Sequence, residues 1–575
     1  MEEQHGWNGS HATGEKRNLT PDKLTVEVVR HALSYLSEEM GVSLRKSAYS
    51  PNIRERADHS CAILDQMSRS IGQAEHIPVH IGSLPLGLRN TLQYLSGQNE
   101  KIAHGDMFMV NDPYIAGTHL NDVTLIRPVF LDETLVAYTA NKAHHVDVGG
   151  KSPGSISCDA TELIEEGVLL PPTRLLVKNE IKKDVLQILI ANTRMPEVTL
   201  GDLRAQIAAN LLGERKLLEL ISKIGIQAFV ESSEAVLDQT YRLAISEYSK
   251  MPKGSWTGED YLELDDELLT IRTKISFAED GVAVDFGGTS RQVQAPLNAV
   301  LGVTTAAVTY AIRTIMPFTF SLNDGFIRTI TIAAPTMTIV NPAKPAPVSG
   351  GNLETSQRIV DSIYDGLSKA LPDRIPAASH GSMNNLMLGG VDVATGKSWA
   401  FYETIGGGYG GRPGSDGVNG IQVNMTNTLN TPIEVIEHYY PIRFLAYELR
   451  SGTGGPGKWR GGTGIARILQ AKQAMQATIL GERCKVRPKG ANGGLPGQSS
   501  AYSVQRTQGG QTIMLKSKDT IRLAPGDILQ ILTAGGGGYG NPQSRELSLV
   551  REDIENDYIS IDMAKRSYGY GAPLN

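Results

Sequence analysis

Histidines are concentrated in one short part of the chain. Seven of the twelve lie between positions 59 and 145. They are His59, His76, His80, His104, His119, His144 and His145. Three of these seven share the stretch 117–145 with three acidic residues and two apolar runs. Imidazole and carboxylate groups are the ligands that bind Mn²⁺, Fe²⁺ or Zn²⁺ in proteins, so this stretch is the first place to look for a metal site.

The two apolar runs of this stretch predict a β-hairpin. "VTLIRPVF" (123–130) and "TLVAYTAN" (134–141) are rich in β-branched and aromatic residues, and "LDET" between them can turn. The expected register puts Asp122 opposite Ala143, one position from His144. Pro128 cannot donate a hydrogen bond to a neighbouring strand and must therefore sit at an edge or a bulge.

The hairpin would gather three metal ligands at its open end: Asp122, His144 and, just before the first strand, His119. Two imidazoles and one carboxylate leave positions open for water or substrate. A metal so held can polarise a carbonyl or lower the pKa of bound water. The alternative, in which these histidines only bond to loop backbone, stays open. Three further residues are reserve ligands or partners that orient the imidazoles. They are Asp112, His145 and Asp147.

Nucleophilic catalysis is a weaker alternative. "NIRERADHSCAILD" (52–65) and "EHIPVHIGSLP" (75–85) contain side chains from which a Ser–His–Asp triad could be drawn. The candidates are Glu55, Asp58, His59, Ser60, His76 and His80. No G-x-S-x-G motif accompanies them, so ordinary structural hydrogen bonding is favoured for each of them taken singly.

A nucleotide site on this chain is not supported by its glycine motifs. "GTGGPGK" (452–458) has the glycine and lysine of a phosphate-binding loop, but Trp459 stands where Ser or Thr would bind Mg²⁺. Pro456 also removes one of the amides that would contact phosphate. "VDFGGTS" (284–290) is equally well explained as a strand that ends in a turn.

The elements that position these residues indicate an α+β protein. Helices are predicted over 20–48, with Thr20 as N-cap and Pro21 at the first position, and over 185–250 with one break near "RMPEV". Two more are predicted over 295–315 and 353–371. Most of the remaining chain carries short β-like runs, and glycine clusters near 405–420, 450–464, 489–497 and 533–542 predict tight turns or close backbone contacts.

A chain of 575 residues is too long for one core, so about three or four domains are expected. We predict a flexible tail, an α+β metal-binding region, a helical segment, an α+β central domain and a β-rich C-terminal domain with glycine loops. Their respective ranges are 1–19, 20–184, 185–251, 252–445 and 446–575.

Composition excludes several partners. A net charge of −6 gives no electrostatic reason for binding nucleic acid or an anionic membrane. Three cysteines at irregular spacing favour a reducing compartment. The chain lacks the ~18–20-residue apolar run of a membrane span, and its polar N-terminus is unlike a secretory signal. These features predict a cytoplasmic protein.

Several long motifs resemble the hydantoinase B/oxoprolinase family, in order along nearly the whole chain. They are "HIPVHIGSLP", "GDMFMVNDPYIAGTHLNDVTLIRPVF", "AHHVDVGGKSPGSI", "EEGVLLPPTRL", "GGNLETSQRIVD", "GSMNNLMLGG" and "YETIGGGYGGRPGSDGVNGIQVNMTNTLNTPIEVIE". The resemblance implies an A-type (alpha) ATPase partner that binds ATP and Mg²⁺, an A2B2 heterotetramer and a divalent metal (Mn, Zn or Fe) in this B-type chain. The family's His-x-x-Asp pair and later His fall on His119, Asp122 and His144.

The activity implied by the resemblance is ATP-dependent opening of a cyclic amide, that is, of a hydantoin, 5-oxoproline or a lactam. The partner would phosphorylate the carbonyl oxygen, and water activated on this chain would attack the carbonyl carbon, with His145 or Asp58 as general base. Candidate substrate or partner contacts are Glu354, Gln357, Arg358, Asn384, Glu403 and Asn427. A component of an ATP-dependent ketone carboxylase (acetone or acetophenone type) and a non-catalytic scaffold for the ATPase partner stay open as alternatives.

Overall fold

The computed structural model describes residues 22–74, 76–317 and 322–571. It confirms the α+β class, because helices alternate with four separate sheets. The predicted tail 1–19 lies outside the described residues, and the domain boundaries stay predictions. Within the described residues, no helix combines the length and the apolar character needed to cross a bilayer.

The first sheet has seven strands and contains the predicted hairpin. The strands are β1 (His59–Asp65), β2 (Ser70–Gln73), β3 (Met107–Val110), β4 (Asp122–Leu131), β5 (Thr134–His144), β6 (Thr173–Val177) and β7 (Glu180–Ile181). Their order is β2-β1-β5-β4-β3-β6-β7. The hairpin strands β4 and β5 therefore lie at the centre of the sheet, and both are almost completely buried.

Seven helices accompany this sheet. They are α1 (Lys23–Ser47), α2 (Pro51–Arg54), α3 (Ser83–Gly97), α4 (Pro113–Ala116), α5 (Lys183–Ala191), α6 (Pro196–Ile224) and α7 (Ile226–Tyr248). The first helix begins at Lys23 because the Asp22 carboxylate accepts a hydrogen bond from the Thr25 amide. The predicted N-cap Thr20 and first position Pro21 lie outside the described residues. The helical region has the expected break at Pro196 and a second, unpredicted break at Gly225.

The hairpin has a bulge that its sequence pattern did not predict. Next to the turn, Leu131 pairs with Thr134, but the register shifts by one residue between Val129 and Phe130. Asp122 consequently lies directly opposite His144 rather than Ala143. The shift brings the Asp122 carboxylate and the His144 imidazole closer together than the predicted register does, because the two residues are now paired directly across the hairpin.

Pro128 does not interrupt the sheet. It lies on β4, opposite Tyr138 of β5. The neighbouring strand β3 pairs only with residues Thr124–Ile126 of β4, so Pro128 lies outside that ladder. The lack of an N–H group on Pro128 therefore costs no hydrogen bond to β3.

The rest of the chain forms three smaller sheets and six helices among the described residues. The strands are β8 (Gly254–Leu264), β9 (Glu267–Phe277), β10 (Val282–Asp285), β11 (Ile330–Ala333), β12 (Asn385–Val391), β13 (Ser398–Glu403), β14 (Ile442–Leu449), β15 (Ile465–Ala471), β16 (Met475–Leu480), β17 (Ala501–Gln505), β18 (Thr512–Leu515), β19 (Lys518–Leu523) and β20 (Ile528–Leu532). The helices are α8 (Leu301–Thr314), α9 (Asp324–Ile327), α10 (Ser356–Ala370), α11 (Ile433–Tyr439), α12 (Leu547–Glu555) and α13 (Ile561–Tyr568). The sheets have the orders β11-β10-β9-β8, β13-β12-β16-β19 and β14-β15-β20-β17-β18.

The C-terminal glycine clusters pack backbone against backbone. A Cβ atom on Gly536 would lie 2.1 Å from the Tyr409 carbonyl oxygen, and one on Gly461 would lie 2.0 Å from that of Gly536. The Gly408 and Gly455 amides donate to the carbonyls of Ala534 and Gly536. Close approach of other segments, which was one of the two expectations for these clusters, therefore explains the glycines in this region.

Candidate metal centre

Two local features bring the three predicted ligands together. Asp122 and His144 are paired across the hairpin, and the Asp122 amide donates to the His119 carbonyl at 3.0 Å, which turns the chain just before β4. Asn121 fixes the open end of the hairpin, because its side-chain amide donates to the carbonyls of His145 and Gly154. The sequence His-x-x-Asp thus places both side chains at one end of a buried strand.

The three ligand atoms form a small triangle. His119 Nε2 lies 3.1 Å from His144 Nδ1 and 3.2 Å from Asp122 Oδ1, and His144 Nδ1 lies 3.3 Å from the same carboxylate oxygen. All three side chains are at most 2% exposed. Ligand atoms ~2.0–2.2 Å from one ion, at angles between ~90° and 109°, are separated by roughly 2.8–3.6 Å. The triangle therefore fits one face of a coordination polyhedron around a divalent cation.

The donor chemistry also fits a metal. Two imidazole nitrogens and one carboxylate oxygen converge on one point in a buried region. A buried carboxylate charge needs a positive partner, and a divalent cation bound by all three atoms would provide it. The opposite ring nitrogens, His119 Nδ1 and His144 Nε2, have no hydrogen-bond partner among the described residues. Within the described ranges, this trio is the one group of three or more ligand-type side chains close enough to share an ion.

Electrostatics favour metal-binding protonation states at two of the three candidate ligands, Asp122 and His144. Burial alone would raise the pKa of the Asp122 carboxyl, but the neighbouring His119 and His80 outweigh burial and hold that pKa well below its usual value. Burial lowers the pKa of His144, although its hydrogen bond with Asp122 opposes the shift. An ionised carboxylate and a neutral imidazole are the forms that bind metal ions.

A buried lysine anchors the loop that carries His119. Lys142 lies two residues before His144 on β5 and is completely buried. Its ammonium donates to the Ser83 hydroxyl, the Ala116 carbonyl and the Thr118 hydroxyl at 2.9–3.1 Å. Burial lowers its pKa to about 8. Three hydrogen bonds to the loop and to the start of α3 hold the backbone just before the first ligand.

The His144 ring is supported by residues from a distant part of the chain. The Tyr402 ring of β13 stacks on it with a centroid distance of 4.7 Å and an interplanar angle of 18°. The Arg56 guanidinium lies 4.7 Å from the centroid of the same tyrosine ring. The Tyr402 hydroxyl donates to the Asn385 side chain at 2.9 Å. These contacts leave the imidazole little freedom to rotate.

A cavity of about 20 Å³ adjoins the triangle, which is room for one water molecule or ion. Its wall includes Asp122 and His144, together with Asp58, one of the two predicted general bases. Asp58 is 8% exposed, and its side chain lies 3.9 Å from Arg56. The Asp58 carboxylate is therefore placed beside the proposed ligands.

His145, the other predicted base, points away from this cavity. Its Nε2 atom lies 2.9 Å from the Gln206 side-chain oxygen on α6. His145 directly follows the last residue of β5, and neighbouring residues along a strand face opposite sides of the sheet. The reserve ligands also have other partners. Asp112 caps α4 and accepts from Lys344 at 2.8 Å, and Asp147 accepts from the Gly149 and Gly154 amides and from Arg194.

The region of the alternative triad contains a Ser–His pair with a different acid. Ser60 Oγ lies 3.0 Å from His80 Nδ1, and His80 Nε2 lies 3.5 Å from Asp122 Oδ2. His59 instead packs against His76, which pairs with Glu38 at 3.1 Å. Glu55 pairs with Arg54. The serine and His80 therefore belong to the surroundings of the metal triangle.

The six candidate contact residues have partners within the chain. Four of them are hydrogen-bonded: Glu354 accepts from the Met383 amide and from Asn385, Gln357 donates to the Val423 carbonyl, Asn384 accepts from Tyr502, and Asn427 donates to the His76 carbonyl. The other two form ion pairs: Arg358 with Asp361 and Asp260, and Glu403 with Arg467. Leu353 lies in the cavity wall directly before Glu354.

Most of the cavity wall could not be recognised from the sequence. The wall residues from the second half of the chain are Asn352, Leu353, Met383, Tyr402, Thr404, Met425 and Thr426. They lie more than two hundred positions from His144, and nothing in their types marks them as neighbours of a metal site. The motifs "GGNLETSQRIVD" and "YETIGGGYGG" contain four of them and were the available signal.

Comparison with known sequences finds one family along almost the whole chain. The family described as Hydantoinase B/oxoprolinase matches residues 22–542. An uncharacterized protein of Methanocaldococcus jannaschii is 49% identical over 95% of this chain and 96% of its own length. The B-type chain of a putative D-/L-hydantoinase from a Pseudomonas species is 31% identical, with 95% of both chains covered. The 5-oxoprolinase 1 of Arabidopsis thaliana is 33% identical over 90% of this chain but only 42% of its own length.

Two solved structures share the fold. An ATP-dependent caprolactamase from Pseudomonas jessenii superposes with a TM-score of 0.89 at 26% identity, covering 95% of this chain and 96% of the other. A nucleotide-free acetone carboxylase also gives a TM-score of 0.89, at 18% identity, covering 95% of this chain and 79% of the other. At 18% identity, the second likeness bears on the fold alone.

Proposed function

The chain belongs to the hydantoinase B/oxoprolinase family, and from this premise we propose that it is the metal-containing B-type (beta) component of an ATP-dependent cyclic amide hydrolase. One observation carries the proposal: His119, Asp122 and His144 form a buried triangle of ligand atoms 3.1–3.3 Å apart, next to a cavity. The ring opened would be a hydantoin, 5-oxoproline or a lactam. ATP would be bound and hydrolysed by a separate A-type partner.

The relatives favour an amide substrate and a separate partner. Those at 30% identity or more include the B-type chain of a putative hydantoinase and several 5-oxoprolinases. This chain covers 95% of that hydantoinase chain but only about two fifths of the oxoprolinases, whose remaining length is available for another function. We propose that a second polypeptide supplies this function here, in an A2B2 heterotetramer.

The chemistry needs activation because an amide is a poor electrophile. Nitrogen donates electron density into the carbonyl, and the same resonance produces the ~18–20 kcal/mol barrier to rotation about the C–N bond. Transfer of the ATP phosphoryl group to the carbonyl oxygen by the partner would release ADP and give an O-phosphoryl imidate, whose ring carbon is the better electrophile. Water could then add to that carbon, and loss of the amine with a proton would break the C–N bond and leave an acyl phosphate. A second water would hydrolyse the acyl phosphate to the carboxylate and inorganic phosphate.

The residues of this chain would provide the site for the water step. When bound to His119, Asp122 and His144, a divalent ion would supply Lewis-acid activation of water or carbonyl. The Asp58 carboxylate lines the same cavity and can accept the proton of the attacking water. Buried walls formed by Leu353, Met383 and Met425 would exclude other water molecules.

The test is a reconstitution with the A-type partner. The purified complex is given ATP and a panel of hydantoins, 5-oxoproline, lactams and ketone–bicarbonate mixtures, and ring opening, carboxylation and phosphate release are measured. We expect ATP-dependent ring opening, its loss in His144→Ala, and a roughly 10²-fold or larger fall in kcat for Asp58→Asn without loss of metal. The exposed His104, replaced by Ala, is the matched control and should leave activity unchanged.

The other outcomes distinguish the alternatives. Carboxylation of a ketone with no ring opening would assign the chain to the ketone carboxylases. Ring opening that survives fully in His144→Ala would leave the chain a scaffold for the ATPase partner. Metal analysis of the protein as isolated decides among Mn, Zn and Fe. The cytoplasmic location stays a prediction.

A further inference from the structure

His80 lies beside the metal triangle and lines the same cavity as Asp122 and His144. Its ring is 1% exposed and belongs to the last residue of a short turn, Pro78–His80, that precedes α3. Its Nε2 atom faces Asp122 Oδ2 at 3.5 Å, while Asp122 Oδ1 faces the two ligand imidazoles. Neither His80 Nε2 nor Asp122 Oδ2 has a hydrogen-bond partner among the described residues, and 3.5 Å separates the two atoms. The two atoms are therefore each other's nearest available partners.

The surroundings of both ring nitrogens favour one position for the His80 proton. The Ile77 amide donates to Ser60 Oγ at 3.4 Å, and Ser60 Oγ lies 3.0 Å from His80 Nδ1, so the serine's own O–H can donate to Nδ1. With Nδ1 accepting, a neutral His80 carries its proton on Nε2, the atom that faces the carboxylate. The opposite tautomer would direct a lone pair at a carboxylate oxygen in a buried region, which is unfavourable.

We propose that His80, held in the Nε2–H tautomer by Ser60, is a positioning residue that fixes the Asp122 carboxylate for metal binding. The inference rests on the proposed function, since it takes the triangle as the metal site. A donor on Oδ2 holds the carboxylate plane so that Oδ1 is directed at the ion. We assign His80 a supporting role because its Nε2 atom faces Asp122 Oδ2, whereas the imidazoles of His119 and His144 face Oδ1 and form with it the group of atoms close enough to share one ion.

The test measures Mn²⁺ binding to the purified full-length chain, independent of catalysis. His80→Gln places an amide N–H near the position of Nε2 and should preserve the donor to Asp122. His80→Asn and His80→Ala remove it. We expect the Kd for Mn²⁺ to weaken about 10–100-fold in His80→Asn and His80→Ala. His80→Gln should stay within a few-fold of the wild type, and Ser60→Ala should fall between them because the tautomer is no longer fixed.

Pulsed electron paramagnetic resonance of bound Mn²⁺ adds a spectroscopic readout. The number of coordinated imidazole nitrogens should be two in the wild type and remain two in His80→Ala. A count that falls from three to two would make His80 a ligand and overturn the proposal. Equal Mn²⁺ affinity in all the His80 variants would overturn it as well.

Controls separate this inference from the proposed function. His104→Gln changes an exposed histidine by the same substitution and should bind Mn²⁺ like the wild type. A positioning role would also be contradicted if Mn²⁺ binding were as weak in His80→Gln as in His80→Ala while the thermal unfolding of both variants stayed unchanged. If the wild-type chain itself binds no Mn²⁺, Zn²⁺ or Fe²⁺, the proposed function fails. If it binds one and the variants do not differ, only the role of His80 fails.

Discussion

Asp122→Asn tests whether the triangle binds an ion. The substitution keeps the shape of the side chain but removes the one negative charge among the three ligands. A unit charge about 2.1 Å from a divalent ion is worth about 4 kcal/mol even with the dielectric constant of water. That is the most strongly screened limit, so the expected loss is about 10³-fold in Kd or more.

The loss can be measured as a change in metal-dependent stability. A ligand present at 100 times its Kd stabilises the folded chain by about 2.7 kcal/mol, whereas a variant with a 10³-fold weaker site gains less than about 0.1 kcal/mol at the same concentration. For a cooperative unit of about 200 residues, the wild-type gain corresponds to a rise of about 5–10 °C in Tm. The assay is scanning calorimetry with and without Mn²⁺.

Asp112→Asn is the matched control, because Asp112 was a reserve ligand and caps α4 outside the triangle. Asn is as good an N-cap as Asp, so that variant should keep its response to Mn²⁺ and lose at most about 1 kcal/mol of stability with the ion pair to the half-exposed Lys344. The reasoning is refuted if Asp122→Asn retains a metal-dependent rise in Tm close to that of the wild type, or if Asp112→Asn loses it.

Three further predictions concern the framework. Glu403→Ala should lower the free energy of unfolding by about 3–5 kcal/mol, because it leaves the fully buried Arg467 guanidinium, 2.6 Å from Glu403, without its ion-pair partner. The Kd for Mn²⁺ should not change. Denaturant unfolding and Mn²⁺ titration measure the two quantities. Burial raises the pKa of Glu166 to about 7, so its stabilising contribution is complete below pH ~4.5 and is lost as the pH rises through ~7, by about 3 kcal/mol. Glu166→Gln should remove that part of the stability-against-pH profile, and an unchanged profile would contradict the assignment. Gly536→Ala forces a Cβ against a backbone carbonyl and should cost about 1–3 kcal/mol in the same unfolding assay, whereas Gly97→Ala, which meets nothing within 4 Å, should cost nothing.

The proximity of His119, Asp122 and His144 could be predicted from sequence because the three residues are local, and their role as metal ligands stays a prediction. His119 and His144 are joined by a single hairpin, and strand periodicity with one turn is enough to place their backbones at one end of it. The bulge between Val129 and Phe130 could not be predicted, since no glycine or other signal marks it, and it shifted the pairing by one residue. The end of α6 did have a sequence signal, because a glycine at position 225 is typical of a helix C-terminus. The prediction of a helix continuous through this position did not use it.

The surroundings of the triangle depend on contacts that no local pattern encodes. Tyr402 stacks on His144 from a strand of another sheet, and the Val79 amide donates to the Met425 carbonyl across the cavity wall. His80 was recognised as a histidine of interest but assigned to a possible triad. Its partner acid, Asp122, is separated from it by β3 and α3, and only the three-dimensional arrangement joins them.

This division between local ligands and distant walls has a consequence for how the site works. Two of the three candidate ligands, Asp122 and His144, lie on the hairpin at the centre of a seven-stranded sheet, where both strands are paired on both sides and a shift of backbone is costly. The third, His119, lies in the turn just before it. The opposite wall, with Leu353, Met383 and Met425, comes from loops and from a π-helical turn at the start of α10. A cavity of about 20 Å³ is too small for a cyclic amide, so binding of the proposed substrate would require this wall to move. In the proposed enzyme the ion would therefore be held by the central strands of the sheet, and the choice of ring would depend on the wall formed by the second half of the chain.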